Sequence, residues 1–214
     1  GRLFPEEQFL GLTVGVVTDK SGKKIGKSDG CTLWLDRNQT SPFDLYQYVY
    51  NMEKETSKKL AKNITFLAND YIDEIFGSES HEYQEIIAKE VTSLIHGEIS
   101  GQKASSLSKD LAMLKSTTRI EDFEEILSPA RTAIQNHTSG GPQTLLDILT
   151  FLPSKPSKSE LKRATLSGGL YINFKKISAC QLSEPISPET TPVMLVSFGR
   201  NSPYLIKMGQ KEMA

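Results

Sequence analysis

Lys24-Ile25-Gly26-Lys27-Ser28 is the segment from which the organisation of this chain can be inferred. It lies in a loop rich in glycine and lysine, residues 18–30, which is too charged to belong to a core. The loop follows Leu12–Val17, a short apolar run that is typical of a buried strand. On these five residues alone, a solvated surface loop in a hairpin is the simplest interpretation.

A phosphate-binding P-loop is a second interpretation, because the pattern G-x-x-x-x-G-K-S/T ends in the residues found at Gly26–Ser28. The first glycine of that pattern would fall at Ser21, and Gly22 comes one residue late. A P-loop also leads directly into a helix whose N-terminus holds phosphate. Here a strand-like run, Thr32–Leu35, follows instead. The sequence therefore disfavours a P-loop NTPase.

The motifs around the loop favour a third interpretation, a resemblance to the tyrosyl-tRNA synthetases of mitochondrial and bacterial type. These class I aminoacyl-tRNA synthetases carry a Lys-Met-Ser-Lys-Ser loop, typically with glycine at its third position, where Gly26 stands here. The segments that resemble the family in order and spacing are Gly11–Val14, Lys24–Ser28, Trp34–Asp36, Thr40–Phe43 and parts of 91–97. The resemblance covers nearly the whole chain and identifies it as the C-terminal portion of such an enzyme.

The resemblance implies ATP-dependent activation of tyrosine and its transfer to tRNA(Tyr). Lys27 matches the second lysine of the motif and is the expected catalytic residue, with Lys24 in a supporting role. Negative charge builds on the departing pyrophosphate, so a lysine that reaches it only in the transition state lowers the barrier selectively. The residues expected to bind ATP are Val16, Val17, Lys24, Gly26, Lys27 and Ser28.

The resemblance also indicates which parts of the enzyme to expect elsewhere. The tyrosine pocket, the His-Ile-Gly-His motif and most of the dimer interface would lie upstream of Gly1, so the chain as given is not expected to activate tyrosine alone. The expected ligands are tyrosine, tRNA(Tyr) and ATP, with Mg²⁺ alongside the ATP, and the full-length enzyme is expected to be a homodimer. The histidines lack metal-ligand spacing, so no protein metal site is expected.

Helical periodicity over 41–127 predicts an antiparallel cluster of helices. Ser41 suits an N-cap and Pro42 suits the first helical position. A longer helix is predicted to begin at Ser80 and to end at Gly97. By resemblance, this region is an all-α anticodon-binding domain.

The remaining chain predicts a linker at 128–142, which is rich in proline and glycine, and a small α+β module at 143–214. Thr144 and Ser159 are the predicted caps of its two helices. A closing hairpin is predicted over Val193–Met208. The predicted fold is therefore multidomain, with residues 1–40 forming the C-terminal tail of a Rossmann-like α/β catalytic domain.

A local excess of positive charge marks the C-terminal module. Residues 153–177 carry six bases against one acid, a balance of +5 in a chain whose net charge is −1. Ser157–Arg163 and Gly168–Asn173 resemble the S-four type of RNA-binding domain, named for a small-subunit ribosomal protein. Such a face supplies salt-dependent contacts to phosphates. The residues expected to bind tRNA are Lys155, Lys158, Lys162, Arg163, Lys175 and Lys176.

Composition limits the remaining choices. The 214 residues are 37% hydrophobic and 24% charged, and no apolar run approaches the roughly 20 residues of a membrane span. Cys31 and Cys180 lack metal-ligand spacing, which favours a reducing compartment. Resemblance implies the mitochondrial matrix, with a bacterial cytoplasm as the alternative. A non-catalytic RNA-binding paralogue is the rival function, but RNA binding alone does not require the lysine loop.

Overall fold

The structure is a computed structural model with two successive regions, one of helices and one built on a mixed β-sheet. It describes residues 11, 13, 15, 16, 18, 22, 32–115, 119–127, 131–135, 143–186, 193–199 and 202–208. Leu12, Val14 and Val17, half of the predicted strand Leu12–Val17, lie outside these residues. Thr32–Leu35, predicted to be extended, form no strand. The Thr40 hydroxyl accepts a hydrogen bond from the Trp34 amide at 2.9 Å instead.

The first region is the helical cluster, in which α4 packs against both α1 and α5. Its elements are α1 (Pro42–Tyr50), α2 (Lys54–Ile64), α3 (Asn69–Gly77), α4 (Glu82–His96), α5 (Glu98–Met113) and a 3₁₀ helix (Ile120–Ile126). The side chains of Phe43, Ile72, Ile87, Leu107 and Phe123 are fully buried between them. Burial of this apolar surface is the main stabilising contribution to the region.

Local sequence signals explain where these helices begin and end. The Ser41 hydroxyl accepts a hydrogen bond from the Asp44 amide at 3.0 Å, which confirms the predicted cap of α1. Gly97, with a φ of 91°, separates α4 from α5 and confirms the predicted end of α4. Gly101 lets α5 approach α4, because a Cβ at this position would lie 2.9 Å from the Lys89 carbonyl oxygen.

The second region is the sheet module, in which helices cover a sheet of order β1-β7-β6-β3-β4. Its elements are β1 (Thr132–Gln135), β2 (Gln143–Thr144), α6 (Leu145–Leu149), α7 (Lys158–Leu166), β3 (Leu170–Ile172), β4 (Lys175–Lys176), a 3₁₀ turn (Gln181–Ser183), β5 (Pro185–Ile186), β6 (Val193–Phe198) and β7 (Pro203–Met208). Only β1 is parallel to its neighbour, β7, and β2 pairs with β5 separately. The predicted hairpin over Val193–Met208 is confirmed by the antiparallel pairing of β6 with β7.

Two predictions for this region need correction. The linker predicted at 128–142 contains β1, whose Thr132 lies opposite Leu205, so this segment also completes the sheet. Helix α7 is capped by Ser157 and not by Ser159. The reason is a capping box, in which Ser157 and Glu160 each accept a hydrogen bond from the other's backbone amide. Thr144 caps α6 as predicted.

Candidate nucleic-acid interface

The structure contributes little to the predicted ATP-binding loop. Val17, Lys24, Gly26, Lys27 and Ser28 lie outside the described residues. Val16 is described, and its side chain is 62% exposed. The catalytic and ATP-binding assignments therefore stay predictions, and the geometry of the site rests on the basic residues of the sheet module.

Helix α7 presents the first part of this basic surface. Its capping box fixes the first turn, and the hydrogen bonds from Ser157 hold the pKa of the Glu160 carboxyl below its usual range. Leu161 is fully buried and anchors the helix against the sheet. Lys162 and Arg163, the two residues that follow, are exposed. The buried face of α7 thus fixes the direction in which its cations point.

The hairpin of β3 and β4 presents the second part. A two-residue turn, Asn173–Phe174, joins the strands with φ values of 49° and 66°, as in a type I′ turn. The Asn173 side-chain oxygen accepts a hydrogen bond from the Leu195 amide at 2.9 Å, which ties the turn to β6. Lys175 and Lys176 follow on the edge strand with exposed side chains.

Lys176 connects the two parts of the surface. A Cβ built on Gly168, just after α7, would lie 2.4 Å from the Lys176 Nζ, so the ammonium group covers this glycine. Gly168 also has a φ of 72°, a conformation that side chains disfavour. The Lys176 side chain on the edge strand therefore lies beside Gly168, which follows the C-terminal end of α7.

One of the six predicted cations differs from the others. The Lys158 Nζ lies 2.8 Å from the Asp147 Oδ1, and this ion pair links α7 to α6. Lys158 and then Thr144 hold the pKa of the Asp147 carboxyl below its usual range. The other five cations form no ion pair with any residue in the described ranges. These five, which we call the basic face, are Lys155, Lys162, Arg163, Lys175 and Lys176.

Lys155 belongs to the basic face by its position between the two helices. It has a φ of 46°, and its amide donates a 2.7 Å hydrogen bond to the Leu152 carbonyl oxygen in the turn after α6. The Lys158–Asp147 pair spans the same connection. The Lys155 side chain is exposed in this connection.

Two apolar side chains of the module are exposed, which was not predicted from the sequence. Leu166 is 77% exposed and lies three residues after Arg163 on α7, and Phe151 is 59% exposed just after α6. The spacing of Leu166 from Lys162 and Arg163 is the signal that could have revealed it, because residues three and four apart share a helix face. Arg131, which contacts both regions, carried no recognisable sequence signal.

The chemistry of this surface is electrostatic. Unpaired lysine and arginine side chains on a fixed surface can neutralise phosphates and release their counterions, which makes binding salt-dependent. Such contacts position a nucleic acid and carry little sequence information. No group of three or more His, Cys, Asp or Glu side chains that could hold a metal ion occurs among the described residues. None of the helices in those ranges is long and apolar enough to cross a membrane.

Comparison with known proteins places the chain in a family. The sequence model of the class I tRNA synthetases, W and Y type, matches residues 2–112, just over half of the chain. The chain belongs to this family. The resemblance to tyrosyl-tRNA synthetases inferred from the sequence is confirmed, as is, at that coarser level, a class I synthetase fold with helices and a mixed sheet.

Individual relatives carry a more specific name. A tyrosine–tRNA ligase of Lactococcus lactis is 33% identical over 174 residues, which cover 78% of this chain and 41% of that protein. One of Clostridium botulinum is 34% identical over 183 residues, covering 80% of this chain. This chain therefore spans about 41% of the length of such relatives.

A solved structure also shows sequence similarity. It is a C-terminally truncated mitochondrial tyrosyl-tRNA synthetase of Coccidioides posadasii, 29% identical, and the match covers 42% of this chain and 24% of that one. The TM-score is 0.35, too low to bear on the fold.

Proposed function

We propose that this chain is part of a tyrosine–tRNA ligase, which activates tyrosine with ATP and transfers it to tRNA(Tyr). The observation that carries the proposal is the 33% identity to the Lactococcus lactis tyrosine–tRNA ligase over 78% of the chain. Because the chain spans 41% of that relative, the activity is assigned to the protein that also contains the remaining length.

The proposal divides the work among three parts of the chain. Residues 1–40 are the C-terminal end of the catalytic domain and carry the lysine loop. Residues 41–127 form the anticodon-binding domain, and 143–214 form an S-four-type RNA-binding domain. The five helices between residues 42 and 113 and the basic face of the sheet module support this division.

In the proposed mechanism, the lysine loop acts on ATP. The ammonium group of Lys27 contacts the phosphates as the tyrosine carboxylate attacks the α-phosphorus, and Lys24 assists it. Val16 and Val17 lie against adenine, and Gly26 and Ser28 shape the loop. Mg²⁺ arrives with ATP, since this ion usually binds through substrate phosphates and few protein carboxylates. These roles are supported by the match of the family's motif to Lys24–Ser28.

In the same proposal, tRNA(Tyr) binds along the basic face. Lys155, Lys162, Arg163, Lys175 and Lys176 contact its phosphates directly, since none of them forms an ion pair with a described residue. Lys158 contributes only after exchanging its partner Asp147 for a phosphate. We further propose that the full-length protein is a homodimer, which light scattering would test. We also propose that it is located in the mitochondrial matrix, with a bacterial cytoplasm as the alternative, which cell fractionation would test.

The test of the ligase is Lys27→Ala in the full-length protein. Tyrosine-dependent pyrophosphate exchange should slow by at least about 10²-fold, as when one donor that stabilises a transition state is removed. Tyrosine affinity should not change, because the lysine acts on the phosphates. Lys20→Ala, in the same loop but outside the motif, is the matched control and should leave exchange unchanged.

The same assay separates the ligase from a non-catalytic RNA-binding paralogue. A wild-type protein that binds tRNA but exchanges no pyrophosphate would support the paralogue and contradict the ligase. Exchange that is equally fast in wild type and Lys27→Ala would contradict the role of this lysine.

A further inference from the structure

The two regions of the molecule share one apolar core. Phe174, Leu195 and Leu205 of the sheet module belong to the same buried cluster as Phe43 and Phe123 of the helical cluster. Phe174 is only 5% exposed, although it stands at the tip of a two-residue hairpin turn. Turn tips usually face solvent. The position of this ring therefore indicates that the turn serves to join the regions.

The backbone of Phe174 supports this interpretation. Its φ of 66° is left-handed, and the second position of a type I′ turn normally holds glycine or a small polar residue. An aromatic residue there is strained, and strain of this kind persists only where the surrounding structure requires it. The burial of the Phe174 ring in the shared core offsets the backbone strain of this turn. The next two residues, Lys175 and Lys176, belong to the basic face.

A polar contact joins the two regions at a second point. Arg131, just before β1, forms a bidentate pair with Asp44 of α1, with Nη2–Oδ1 at 2.6 Å and Nε–Oδ2 at 3.1 Å. Its Nη1 donates to the Pro203 carbonyl oxygen at 3.2 Å, and its guanidinium lies 5.5 Å from the centre of the Tyr204 ring, both on β7. Bidentate pairs of this type fix orientation as well as distance.

We propose that Phe174 and Arg131 are positioning residues, which hold the basic face at a fixed orientation to the helical cluster so that one tRNA molecule contacts both regions at once. The inference rests on the proposed function in that the bound RNA is the tRNA substrate. Two binding surfaces joined rigidly act at a high effective concentration, which can raise overall affinity by about 10²- to 10⁴-fold. Neither residue touches the reacting atoms, so tyrosine activation does not depend on them.

The main test is Phe174→Gly in the full-length protein. Asn-Gly is a preferred type I′ turn, so the hairpin keeps its conformation and loses only the ring. We expect the KM for tRNA in aminoacylation to rise at least about tenfold, while tyrosine-dependent pyrophosphate exchange is unchanged. Phe174→Leu, which retains an apolar side chain, should recover part of the loss. Phe66→Gly is the matched control, because Phe66 is 90% exposed, and its KM for tRNA should equal that of wild type.

Arg131→Ala provides an independent variant with no change in the turn. It should also raise the KM for tRNA without slowing exchange, and Arg131→Lys should rescue it only in part, because lysine cannot form the bidentate pair. A wild-type KM for tRNA in both Phe174→Gly and Arg131→Ala would overturn the inference. A parallel loss of exchange in both would also overturn it, because the residues would then maintain the fold instead of positioning RNA. Failure of the wild-type protein to charge tRNA would contradict the proposed function itself.

Discussion

The helical cluster and the segment 155–176 of the sheet module differ in how their positive charges are paired. In the helical cluster, Lys58 and Lys62 both pair with Asp73, at 2.9 and 2.8 Å, and Lys103 pairs with Glu125 at 2.7 Å. In the sheet module, only Lys158 among the six lysine and arginine residues between 155 and 176 pairs with a described acid. These three lysine residues of the helical cluster are paired with acids, whereas five of the six cations between 155 and 176 are not paired with any described acid.

This difference indicates which surface is built for a partner. Exposed ion pairs contribute only about 0–1 kcal/mol to stability, so the pairs of the helical cluster are not what holds that region together. Its stability comes from the buried apolar side chains. The cations of the basic face form no ion pair with a described residue, and the proposed function assigns them to the binding of anions. The comparison therefore separates residues that act in stability from residues that act in binding.

The largest effect is expected where the helical cluster is buried. Phe43→Ala should lower the free energy of unfolding by about 3–5 kcal/mol, because it removes a fully buried ring and leaves a cavity. Urea unfolding followed by circular dichroism measures the change. Phe66→Ala, at a phenylalanine that is 90% exposed, should change stability by less than about 0.5 kcal/mol. Equal losses in the two variants would contradict the assignment of the core.

The second prediction tests whether the cations of the basic face bind tRNA. Replacing Lys162, Arg163 and Lys175 by alanine should weaken tRNA binding at least about tenfold, or about 1.4 kcal/mol. The slope of log affinity against log salt should fall by about 1 for each cation removed. Filter binding or fluorescence anisotropy over a salt series measures both quantities.

The control for this variant removes three cations from the helical cluster. Lys58, Lys62 and Lys103 carry the same total charge as the three residues replaced in the basic face, but each of them already pairs with an acid. Their replacement by alanine should leave the salt slope nearly unchanged. If both triple variants lower the slope equally, net charge governs binding and the basic face has no special role.

Features with a local cause were predictable from the sequence. Ser41 and Pro42 at the start of α1 depend on groups within three residues, and so does the break at Gly97. The Val193–Met208 hairpin is encoded by two apolar runs on either side of a short turn. The cap at Ser157 was also encoded, by Glu160 three residues later, but Ser159 offered a competing N-cap without that partner.

Features set by distant parts of the chain were not predictable. Strand β1 pairs with β7 across about 70 residues, so its proline- and glycine-rich surroundings indicated only a linker. The pairing of Lys158 with Asp147 depends on how α6 packs against α7. The burial of the Phe174 ring depends on its place in an apolar cluster that contains residues of both regions. The lysine loop lies outside the described residues, and its role stays a prediction from sequence.

A smaller effect is expected at the cap that the structure corrected. Ser157→Ala should lower the free energy of unfolding of the protein by about 1 kcal/mol, because the Glu160 amide loses its acceptor. Ser159→Ala is the matched variant two residues later, in the first turn of α7 and also exposed, and should be nearly neutral. Urea titrations of both variants measure the difference. A larger loss in Ser159→Ala would restore the original sequence prediction for this helix.

The smallest effect is expected from a group that the helical cluster leaves unpaired. The His96 Nε2 is buried and has no hydrogen-bond partner among the described residues. Burial, and then the charge of Arg37, lower the pKa of this imidazole from its usual value of about 6.5. The unfolded chain therefore binds a proton more readily than the folded chain. Stability should be constant above about pH 6.5 and should fall as the pH drops from there through the lower pKa of the folded state.

The contribution of His96 can be isolated by difference. The urea midpoints of wild type and His96→Asn are measured from pH 7.5 to 5.5. The two proteins have every other titrating group in common, so the difference between their midpoints reports on His96. The variant should lose less stability than wild type over this interval, because it has no imidazole to protonate at this position. A wild-type curve that is no steeper than that of His96→Asn would show that the unpaired ring is tolerated in its charged form. The helical cluster would then neutralise or solvate the charge of His96 as well. The difference in charge neutralisation between the helical cluster and the basic face would then be larger than their ion pairs indicate.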